Sequence, residues 1–367
     1  MKNKLNKKHT LFLNEFKILF IILFLLFLTS VFGQISAMNG AFISTTVQKH
    51  LIRSCVGIFL MLSVYRCNFR LWSSCAYLFY GITFLALVVV EVIGIVKLGA
   101  QRWIDLYFFT FQPSEVMKLT LILALSKYYS TLSPFEIKDL KKHILPTMLT
   151  ILPVVLVLKQ PDLGTAGILL CSGITIIFLS GFPQRTFIGI ALAGVALCPL
   201  QWFALHTYQK NRIITFLNPD LDPLGTGYHV LQSKISIGSG GLFGKGFLKG
   251  TQSKLNFLPE KNTDFIFTTI AEEVGFIGAS IIIVLLLCLT IFFFVVGYSA
   301  KTVFSRLLCL GLGMLLFLHI FINIAMVMGV VPIVGIPLPF LSYGGSSMVT
   351  FAISCGLVMS ALANKKM

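Results

Sequence analysis

The sequence predicts an all-α, polytopic membrane protein with about ten transmembrane helices and one long extracytoplasmic loop. Its mean hydropathy is +0.91 and only 11% of its 367 residues are charged, whereas about a quarter of the residues in a soluble domain are charged. Apolar runs near 20 residues, the length that crosses the hydrocarbon core as a helix, recur along the chain. No soluble domain, low-complexity tract or internal repeat is evident, so residues 1–367 are predicted to form a single membrane domain.

Ten apolar segments are predicted to span the membrane. The first follows the basic stretch MKNKLNKKHT, which resembles the start of a signal peptide. Because its apolar run extends for about 20 residues without a convincing small-residue cleavage site, we interpret it as a retained span. The predicted spans are residues 16–35, 51–65, 71–96, 116–131, 143–158, 165–182, 186–205, 265–296, 307–331 and 343–362. Residues 206–264 are predicted to form the large extracytoplasmic loop.

The distribution of basic residues predicts the orientation of the spans. The formal net charge is +16, but the Lys and Arg residues lie between apolar runs, as a membrane topology signal does, so no nucleic acid is expected as a partner. With a cytoplasmic N-terminus, the inner segments hold fifteen of them: Lys2, Lys4, Lys7, Lys8, Arg66, Arg70, Lys127, Lys138, Lys141, Lys142, Arg185, Lys301, Arg306, Lys365 and Lys366. The short outer segments hold five: Lys49, Lys97, Arg102, Lys118 and Lys159. Both termini are therefore predicted to be cytoplasmic.

Acidic residues are scarce and are predicted to concentrate on the extracytoplasmic side. Of the 13 Asp and Glu residues, this topology places ten in outer loops or at the outer ends of spans: Glu91, Asp105, Glu115, Asp162, Asp220, Asp222, Glu260, Asp264, Glu272 and Glu273. An ion-coupled transporter usually carries ionisable groups near the bilayer midplane. The nearest candidates here, His319 and Asn323, are better explained by hydrogen bonds between helices. The pattern favours chemistry on a lipid-linked substrate whose headgroup lies outside.

The first outer motif is GAQRWIDLYFFTFQPSEVMK, residues 99–118. Its aromatic residues are typical of an interfacial belt. Glu115 and Lys118 are three residues apart at the start of the fourth span and so share one helix face. They form either a structural ion pair or, with Arg102, a group in which a cation is placed for a phosphate.

The second motif is KQPDLGTAG, residues 159–167, in which Asp162 is predicted near the start of a helix. An acid at this position is favoured as a cap and by the helix dipole. Helix capping alone explains Asp162, and a role as a ligand or anchor in the site is the alternative.

The third motif lies in the long loop, where six glycines fall between Gly238 and Gly250 and Lys245 and Lys249 add positive charge. Glycines permit close backbone approach and anion-binding turns. The stretch GSGGLFGKG does not match a Walker A loop, which requires GxxxxGK[ST]. We interpret the segment as a mobile cover over a phosphate-bearing lipid, with Lys245 as a substrate-binding residue.

The fourth motif is VPIVGIPLPFLSYGGSSM, residues 331–348, whose three prolines prevent a regular helix. Ser342, Tyr343 and Gly344 then precede the last span, where free backbone amides make an anion site. A structural re-entrant loop is the alternative. Because irregular backbone at this depth must be buried in protein or line a cavity, we favour a cavity wall.

Together these motifs resemble the SEDS family of membrane proteins (shape, elongation, division and sporulation). The resemblance rests on five segments in family order and spacing: QPDLGT (160–165), DPLGTGYHVLQSKISIGSGG (222–241), GKGFLKGTQS (244–253), FLPEKNTDFIF (257–267) and PLPFLSYGGSS (337–347). It is strong from about residue 99 to the end and weak over the first 70 residues. The KGTQS stretch resembles elongation members more than division members.

The resemblance implies a peptidoglycan glycosyltransferase of the bacterial cytoplasmic membrane. Such an enzyme polymerises lipid II into β-1,4-linked glycan strands on the outer face and releases undecaprenyl pyrophosphate, with nascent glycan strand, membrane lipid, a class B penicillin-binding protein and the elongation machinery as partners. The family's essential aspartate matches Asp264, and its polar cavity residues match Glu115, Lys118 and Asp162. The family usually has His two residues before the aspartate, whereas this chain has Asn262, which cannot carry a proton.

The expected chemistry inverts the anomeric carbon, because the lipid-linked sugar is an α-pyrophosphate and the product is β. Asp264 is the predicted base for the acceptor hydroxyl. Lys118, Arg102, glycine-loop amides or a divalent cation such as Mg²⁺ or Mn²⁺ are candidates for neutralising the departing pyrophosphate. No organic cofactor is expected.

Two other functions remain open at this point. A lipid II flippase needs a polar route through the whole bundle, and the inner halves of the spans offer few polar groups for one. A scaffold that only recruits the cross-linking enzyme leaves the outer acids unexplained.

Overall fold

The computed structural model describes residues 2–97, 100–105, 110–189, 192–193, 196, 203, 207–218, 222, 225–255, 257 and 260–364. The described chain is mainly helical, which confirms the predicted fold class. Its helices are α1 Lys2–Ala37, α2 Thr45–Arg66, α3 Phe69–Ser74, α4 Ala76–Ile93, α5 Pro113–Ser130, α6 Ile144–Lys159, α7 Leu163–Leu179, α8 Thr207–Leu217, α9 Thr226–Ser239, α10 Thr251–Lys254, α11 Ile266–Tyr298, α12 Val303–Val327 and α13 Gly345–Asn364. Two short 3-10 helices, Glu136–Lys138 and Leu140–His143, precede α6.

Seven segments of the described chain are long and apolar enough to cross a membrane. They are Glu15–Ala37, Thr45–Arg66, Ala76–Ile93, Leu140–Lys159, Ile266–Tyr298, Val303–Val327 and Gly345–Asn364, and the apolar helix α7 is slightly shorter. Each corresponds to a span predicted from the sequence. The predicted seventh span, residues 186–205, lies mostly outside the described residues.

Helix α5 corresponds to the predicted fourth span but lies in the interior of the bundle. It packs against α4, α7 and α12, and nearly every side chain from Pro113 to Ser126 is buried. Its polar side chains, Glu115 and Lys118 among them, therefore have to find partners on neighbouring helices.

A small antiparallel sheet, which the sequence did not predict, follows α4. Its strands are β1 Ile95–Lys97, β2 Ala100–Asp105 and β3 Thr110–Phe111, in the order β1-β2-β3. Trp103 pairs with Ile95 across a β-bulge, and Ile104 pairs with Phe111. The sheet fixes the backbone of Arg102.

Helix α11 is broken at Gly275, where φ is 70° and ψ is −170°. After the break, residues 276–298 run antiparallel to α12, with Gly297 against Leu310. Before the break, the Asp264 carbonyl accepts a hydrogen bond from the Asn323 side chain. The Ser233 hydroxyl bonds both the Thr268 hydroxyl and the Val327 carbonyl. Residues 264–268 thus run in the same direction as α12, and the chain turns back at Gly275. The predicted span over 265–296 is present, and the turn inside it was not predicted, because an isolated glycine in an apolar run does not reveal such a turn.

The connections that carry the first, second and fourth motifs meet the end of the long loop at one end of the bundle. We call this the site end and define it by residues 160–162, 260–265, 328–344 and the described part of 94–112. Hydrogen bonds join these connections to one another: Arg102 donates to the carbonyl of Gln160, and Ser342 donates to the carbonyl of Thr263. Segments that are far apart in the sequence are therefore held in one place.

Candidate active site

Asp264 lies directly before α11, and its backbone is held from two sides. The side-chain amide of Asn323 on α12 donates to the Asp264 carbonyl at 2.9 Å and to the Ile336 carbonyl at 2.7 Å. The hydroxyl of Ser342 donates to the Thr263 carbonyl at 2.7 Å. Because its backbone is fixed, the Asp264 carboxyl has a defined position relative to the loop 328–344.

Arg102 and Asp162 form the second part of the site. The Arg102 Nε lies 3.7 Å from Asp162 Oδ2 and donates to the Gln160 carbonyl at 3.1 Å. The same guanidinium also donates to the Pro161 carbonyl. Asp162 Oδ1 accepts from the Thr165 amide at 3.2 Å, so Asp162 both caps α7 and pairs with Arg102. Of the two interpretations of Asp162, capping is confirmed, and the same carboxylate also belongs to the site.

The surroundings of Asp264 raise its pKa to about 7. Burial is the largest cause, and the carboxylates of Glu260 and Asp162 raise the pKa further, while the guanidinium groups of Arg102 and Arg212 lower it. Asp264 is nevertheless partly exposed as a residue. A carboxyl with this pKa exchanges its proton near neutral pH, which is the property required of a general base.

Glu115, Lys118 and His319 form a buried cluster near the Asp264 turn. Lys118 Nζ lies 2.8 Å from Glu115 Oε1 and 2.9 Å from His319 Nε2, and Lys118 is only 1% exposed. Because His319 precedes Asn323 by one turn of α12, the cluster lies about 6 Å along the helix from the Asp264 carbonyl. Of the two interpretations of the pair, the structural ion pair is confirmed, and a cation placed for a phosphate stays a prediction.

The loop 337–344, which leads into α13, is joined by hydrogen bonds to the turn that carries Asp264. Ser342 Oγ accepts from the Leu338 amide at 2.7 Å, and the Tyr343 amide donates to the Asn262 carbonyl at 2.8 Å. The Gly344 amide donates to the Ser342 carbonyl at 2.9 Å and its own carbonyl accepts the first amide bond of α13. Ser342, Tyr343 and Gly344 are therefore adjacent to Asp264 through the backbone.

Lys245 lies apart from the Asp264 group. Its Nζ is 2.7 Å from Glu272 Oε1 and 2.8 Å from Thr251 Oγ1. The amides of Lys245 and Gly246 donate to the carbonyls of Glu272 and Glu273 at 3.1 and 3.0 Å. The glycine-rich segment is thus bonded to α11 through the groups that we expected to face a phosphate.

Three glycines make that contact possible. A Cβ on Gly244 would lie 2.0 Å from the Glu273 carbonyl oxygen, and one on Gly275 would lie 2.2 Å from the Gly244 amide nitrogen. A Cβ on Gly240 would meet the Ala271 carbonyl oxygen at 2.5 Å. The glycines in this chain therefore serve close backbone packing. We call residues 240–251 and their contacts with Glu272–Gly275 the glycine clasp.

Comparison with known proteins identifies the family. A model of the cell cycle protein family FtsW/RodA/SpoVE matches residues 9–367. The chain belongs to this family.

Relatives of the FtsW/RodA/SpoVE chain carry related descriptions. The peptidoglycan glycosyltransferase MrdB of Escherichia coli (strain K12) is 41% identical over 324 residues, which cover 88% of this chain and 86% of the relative. The peptidoglycan glycosyltransferase RodA of Treponema pallidum is 33% identical, covering 89% of this chain and 92% of its own. The description shared by these relatives is a peptidoglycan glycosyltransferase.

Solved structures of the same family share the fold. A chain of a peptidoglycan synthase complex, described as coordinating polymerization and crosslinking, superposes with a TM-score of 0.82 at 28% identity, over 95% of this chain and 97% of its own. The rod shape determining protein RodA of Thermus thermophilus superposes with a TM-score of 0.70 at 26% identity, over 95% and 97% of the two chains.

Two members of the site in this FtsW/RodA/SpoVE chain were not predicted as site residues from the sequence. Arg212 on α8 acts on the charge of Asp264, yet the sequence marks it only as one basic residue of a long loop. His319 was interpreted as a residue that bonds between helices, which is confirmed, but its partner Lys118 lies 201 residues away. The basic stretch YQKNRI was the only available signal for Arg212, and it did not show where the loop folds.

The predicted divalent cation finds no protein-made site in the described part of the chain. No three His, Cys, Asp or Glu side chains among these residues lie close enough to hold a metal ion together. Mg²⁺ commonly takes one or two carboxylates and completes its shell with water and substrate phosphates. The described residues do not fit a dedicated metal centre. We therefore propose no step through a metal ion, and the divalent cation stays a prediction.

Proposed function

We propose that Asp264 is the general base with which this chain polymerises lipid II into glycan strands. The chain is a peptidoglycan glycosyltransferase and a membrane protein. The single observation that carries the proposal for Asp264 is its setting: a carboxyl with a pKa of about 7, on a backbone held by Asn323 and within electrostatic reach of two arginines.

The proposed reaction is a single inverting displacement. Deprotonated Asp264 takes the proton of the acceptor sugar hydroxyl, and the hydroxyl oxygen bonds to the anomeric carbon of the donor. The bond from that carbon to the pyrophosphate oxygen breaks, and the electron pair leaves with undecaprenyl pyrophosphate. A positioned base typically contributes 10²–10⁴-fold to such a step.

Arg102 and Arg212 are the proposed partners of the departing pyrophosphate. Both lower the pKa of Asp264, so both lie within electrostatic reach of the place where the bond breaks. Guanidinium groups bind phosphate oxygens with charge-assisted, bidentate hydrogen bonds. Fixed cations stabilise negative charge as it develops on a leaving group.

In this proposal Lys118 contributes to the reaction indirectly, from the interior of the bundle. With 1% of its surface exposed and two partners within 2.9 Å, it is placed to hold α5 against α12. We assign Glu115 and Lys118 the role of positioning residues. Asp162 has a similar role, because it orients the Arg102 guanidinium.

The site end is proposed to face the extracytoplasmic side of the bacterial cytoplasmic membrane. The excess of Lys and Arg in segments at the opposite end supports this orientation, which puts both termini in the cytoplasm. Lipid II presents its disaccharide on that outer side.

A class B penicillin-binding protein is the proposed partner that cross-links the product. The likeness to a chain from a complex that coordinates polymerization and crosslinking supports it. The KGTQS stretch supports a place in the elongation machinery rather than in division.

The test uses purified full-length protein in lipid nanodiscs with fluorescent lipid II, and glycan chains are resolved on gels. Asp264→Asn should abolish polymer at pH 7.5 without lowering its thermal unfolding midpoint and should still bind the partner. Glu260→Gln, in the same turn and exposed, is the matched control and should retain polymer. Near-normal glycan chains from Asp264→Asn would remove Asp264 from its role. Movement of lipid II headgroups across vesicles without polymer from the wild-type chain would favour the flippase.

A further inference from the structure

An apolar groove lies between α1, α2 and α13 and opens toward the lipid. It encloses a cavity of about 190 Å³ lined by Phe24, Phe27, Gly57, Ile58, Phe340 and Met348, among others. Phe24 and Ile58 are 58% and 48% exposed, so the groove is accessible from the side of the bundle. Its wall on α2 extends from Ser54 to Met61, about 10 Å along the helix.

A cation stands at the outer mouth of this groove. Arg53 directly precedes the lining residue Ser54, and its guanidinium carbon lies 4.3 Å from the centre of the Tyr343 ring. Its Nε also lies beside Gly345 in the first turn of α13, where a Cβ would approach it to 3.2 Å. The ion pairs formed within the described chain leave Arg53 without a carboxylate.

The groove is continuous with the Asp264 site through one loop. Phe340 forms part of the groove wall, and two residues later Ser342 donates to the carbonyl of Thr263, next to Asp264. The backbone amide of Tyr343, on whose ring Arg53 lies, donates to the Asn262 carbonyl. Asn262 is two residues from Asp264, at most about 7 Å of chain.

We propose that this groove, with Arg53 at its mouth, binds the polyprenyl diphosphate anchor of the acceptor lipid. The proposal rests on the proposed function, because polymerisation joins two lipid-linked sugars and so needs places for two anchors. Arg102 and Arg212 act on Asp264 and flank the diphosphate that leaves, whereas Arg53 is absent from the groups that act on Asp264. The acceptor keeps its own diphosphate and holds it a disaccharide away from the reacting hydroxyl. An apolar channel that ends in a cation suits an isoprenoid chain that ends in a diphosphate.

The binding test uses the full-length protein in nanodiscs and a polyprenyl diphosphate with a photoreactive group in its prenyl chain. Crosslinks should map to α1 and α2 peptides that contain Phe24 and Ile58. Arg53→Gln should weaken retention about tenfold, the effect of losing about 1.4 kcal/mol from a charge-assisted contact, and Arg53→Lys should restore part of it. Lys49→Gln, exposed on the same helix, is the matched control and should bind as wild type does.

Groove filling gives a second, independent variant. Ile58→Trp adds volume at a half-exposed position of the groove wall and should displace the probe, whereas Ile52→Trp, 62% exposed on α2, should not. Equal retention of phosphatidylglycerol, equal crosslinking to other helices, or unchanged binding by both Arg53→Gln and Ile58→Trp would overturn the proposal.

Kinetics separate this proposal from the one for Asp264. Arg53→Gln should raise the KM for lipid II while kcat changes little, because the acceptor binds less well but reacts at the same site. Asp264→Asn should lose kcat and still bind the polyprenyl diphosphate probe. Active Asp264→Asn protein with an intact groove would overturn the base assignment alone, and a wild-type KM in Arg53→Gln would overturn the groove alone.

Discussion

The side-chain amide of Asn323 donates to the main-chain carbonyl of Asp264 at 2.9 Å, and the same amide nitrogen donates to Ile336 at 2.7 Å. One buried side chain on α12 thus ties the turn that carries Asp264 to the irregular loop that forms the facing wall. The backbone from which the carboxyl extends is fixed by this bond.

Replacing Asn323 with Leu should lower kcat more than it raises the KM for lipid II. The change leaves two buried carbonyls without a donor, which costs about 1–3 kcal/mol, and it releases the Asp264 turn. Steady-state polymerisation and thermal unfolding check both effects. Phe321→Leu, two residues away and 52% exposed, is the control and should change neither. A wild-type kcat in Asn323→Leu would contradict the positioning role.

Polymerisation should fall as the pH drops through about 7, because Asp264 has a pKa of about 7 and accepts a proton only when ionised. Arg102→Gln and Arg212→Gln each remove a cation that lowers this pKa, so the midpoint of the pH–rate profile should move upward. Glu260→Gln removes a carboxylate that raises the pKa, so the midpoint should move downward. The same direction of shift in all three variants would be incompatible with Asp264 as the titrating group.

Asp264→Asn should stabilise the folded protein at pH 8 and leave its stability nearly unchanged at pH 4. The folded pKa of about 7 lies above the ordinary value of 3.8, so the folded state holds its proton more tightly than the unfolded state. Stability is therefore lost as the pH rises from about 4 to 7. Thermal unfolding in one detergent across this range measures the effect, and a midpoint difference that does not depend on pH would disprove the linkage.

The buried Lys118 pair should be worth much more than an exposed one. Lys118→Met leaves the Glu115 carboxylate buried without its cation and should cost about 3–5 kcal/mol of unfolding free energy. Combining it with Glu115→Gln should recover part of that loss. Lys142→Met is the control, since Lys142 and Glu136 lie 3.8 Å apart with both side chains 44% exposed, and solvent screens an exposed pair, which therefore contributes little. Equal effects of the two lysine changes would show that the buried cluster is not a structural unit.

Much of the fold and part of the site could be predicted from the sequence. Apolar runs located the helices, and Asp162, Arg102 and Asp264 do meet at one end, because loops on the same side of a membrane bundle share a small area. The turn at Gly275 could not be predicted, since it depends on Gly244 lying against it. The same holds for Arg212 and for the bond from Lys118 to His319, which depend on tertiary contacts between distant segments. Local patterns identify elements, whereas those contacts decide which polar groups are free.

Replacing Lys245 with Met distinguishes a structural role of this lysine from a substrate-binding role. Its Nζ pairs with Glu272, whose carboxylate also accepts from the Thr251 amide at 2.8 Å and, through its other oxygen, from the Ser236 hydroxyl at 3.1 Å. Lys245→Met should therefore loosen the glycine clasp, seen as faster amide hydrogen exchange over residues 240–254, with kcat reduced and the KM for lipid II little changed.

Gly244→Ala should have the same effect and a larger one, because its Cβ would overlap the Glu273 carbonyl, while Gly238→Ala meets no atom within 4 Å and should be neutral. A raised KM with unchanged hydrogen exchange in Lys245→Met would instead support a substrate-binding role for Lys245.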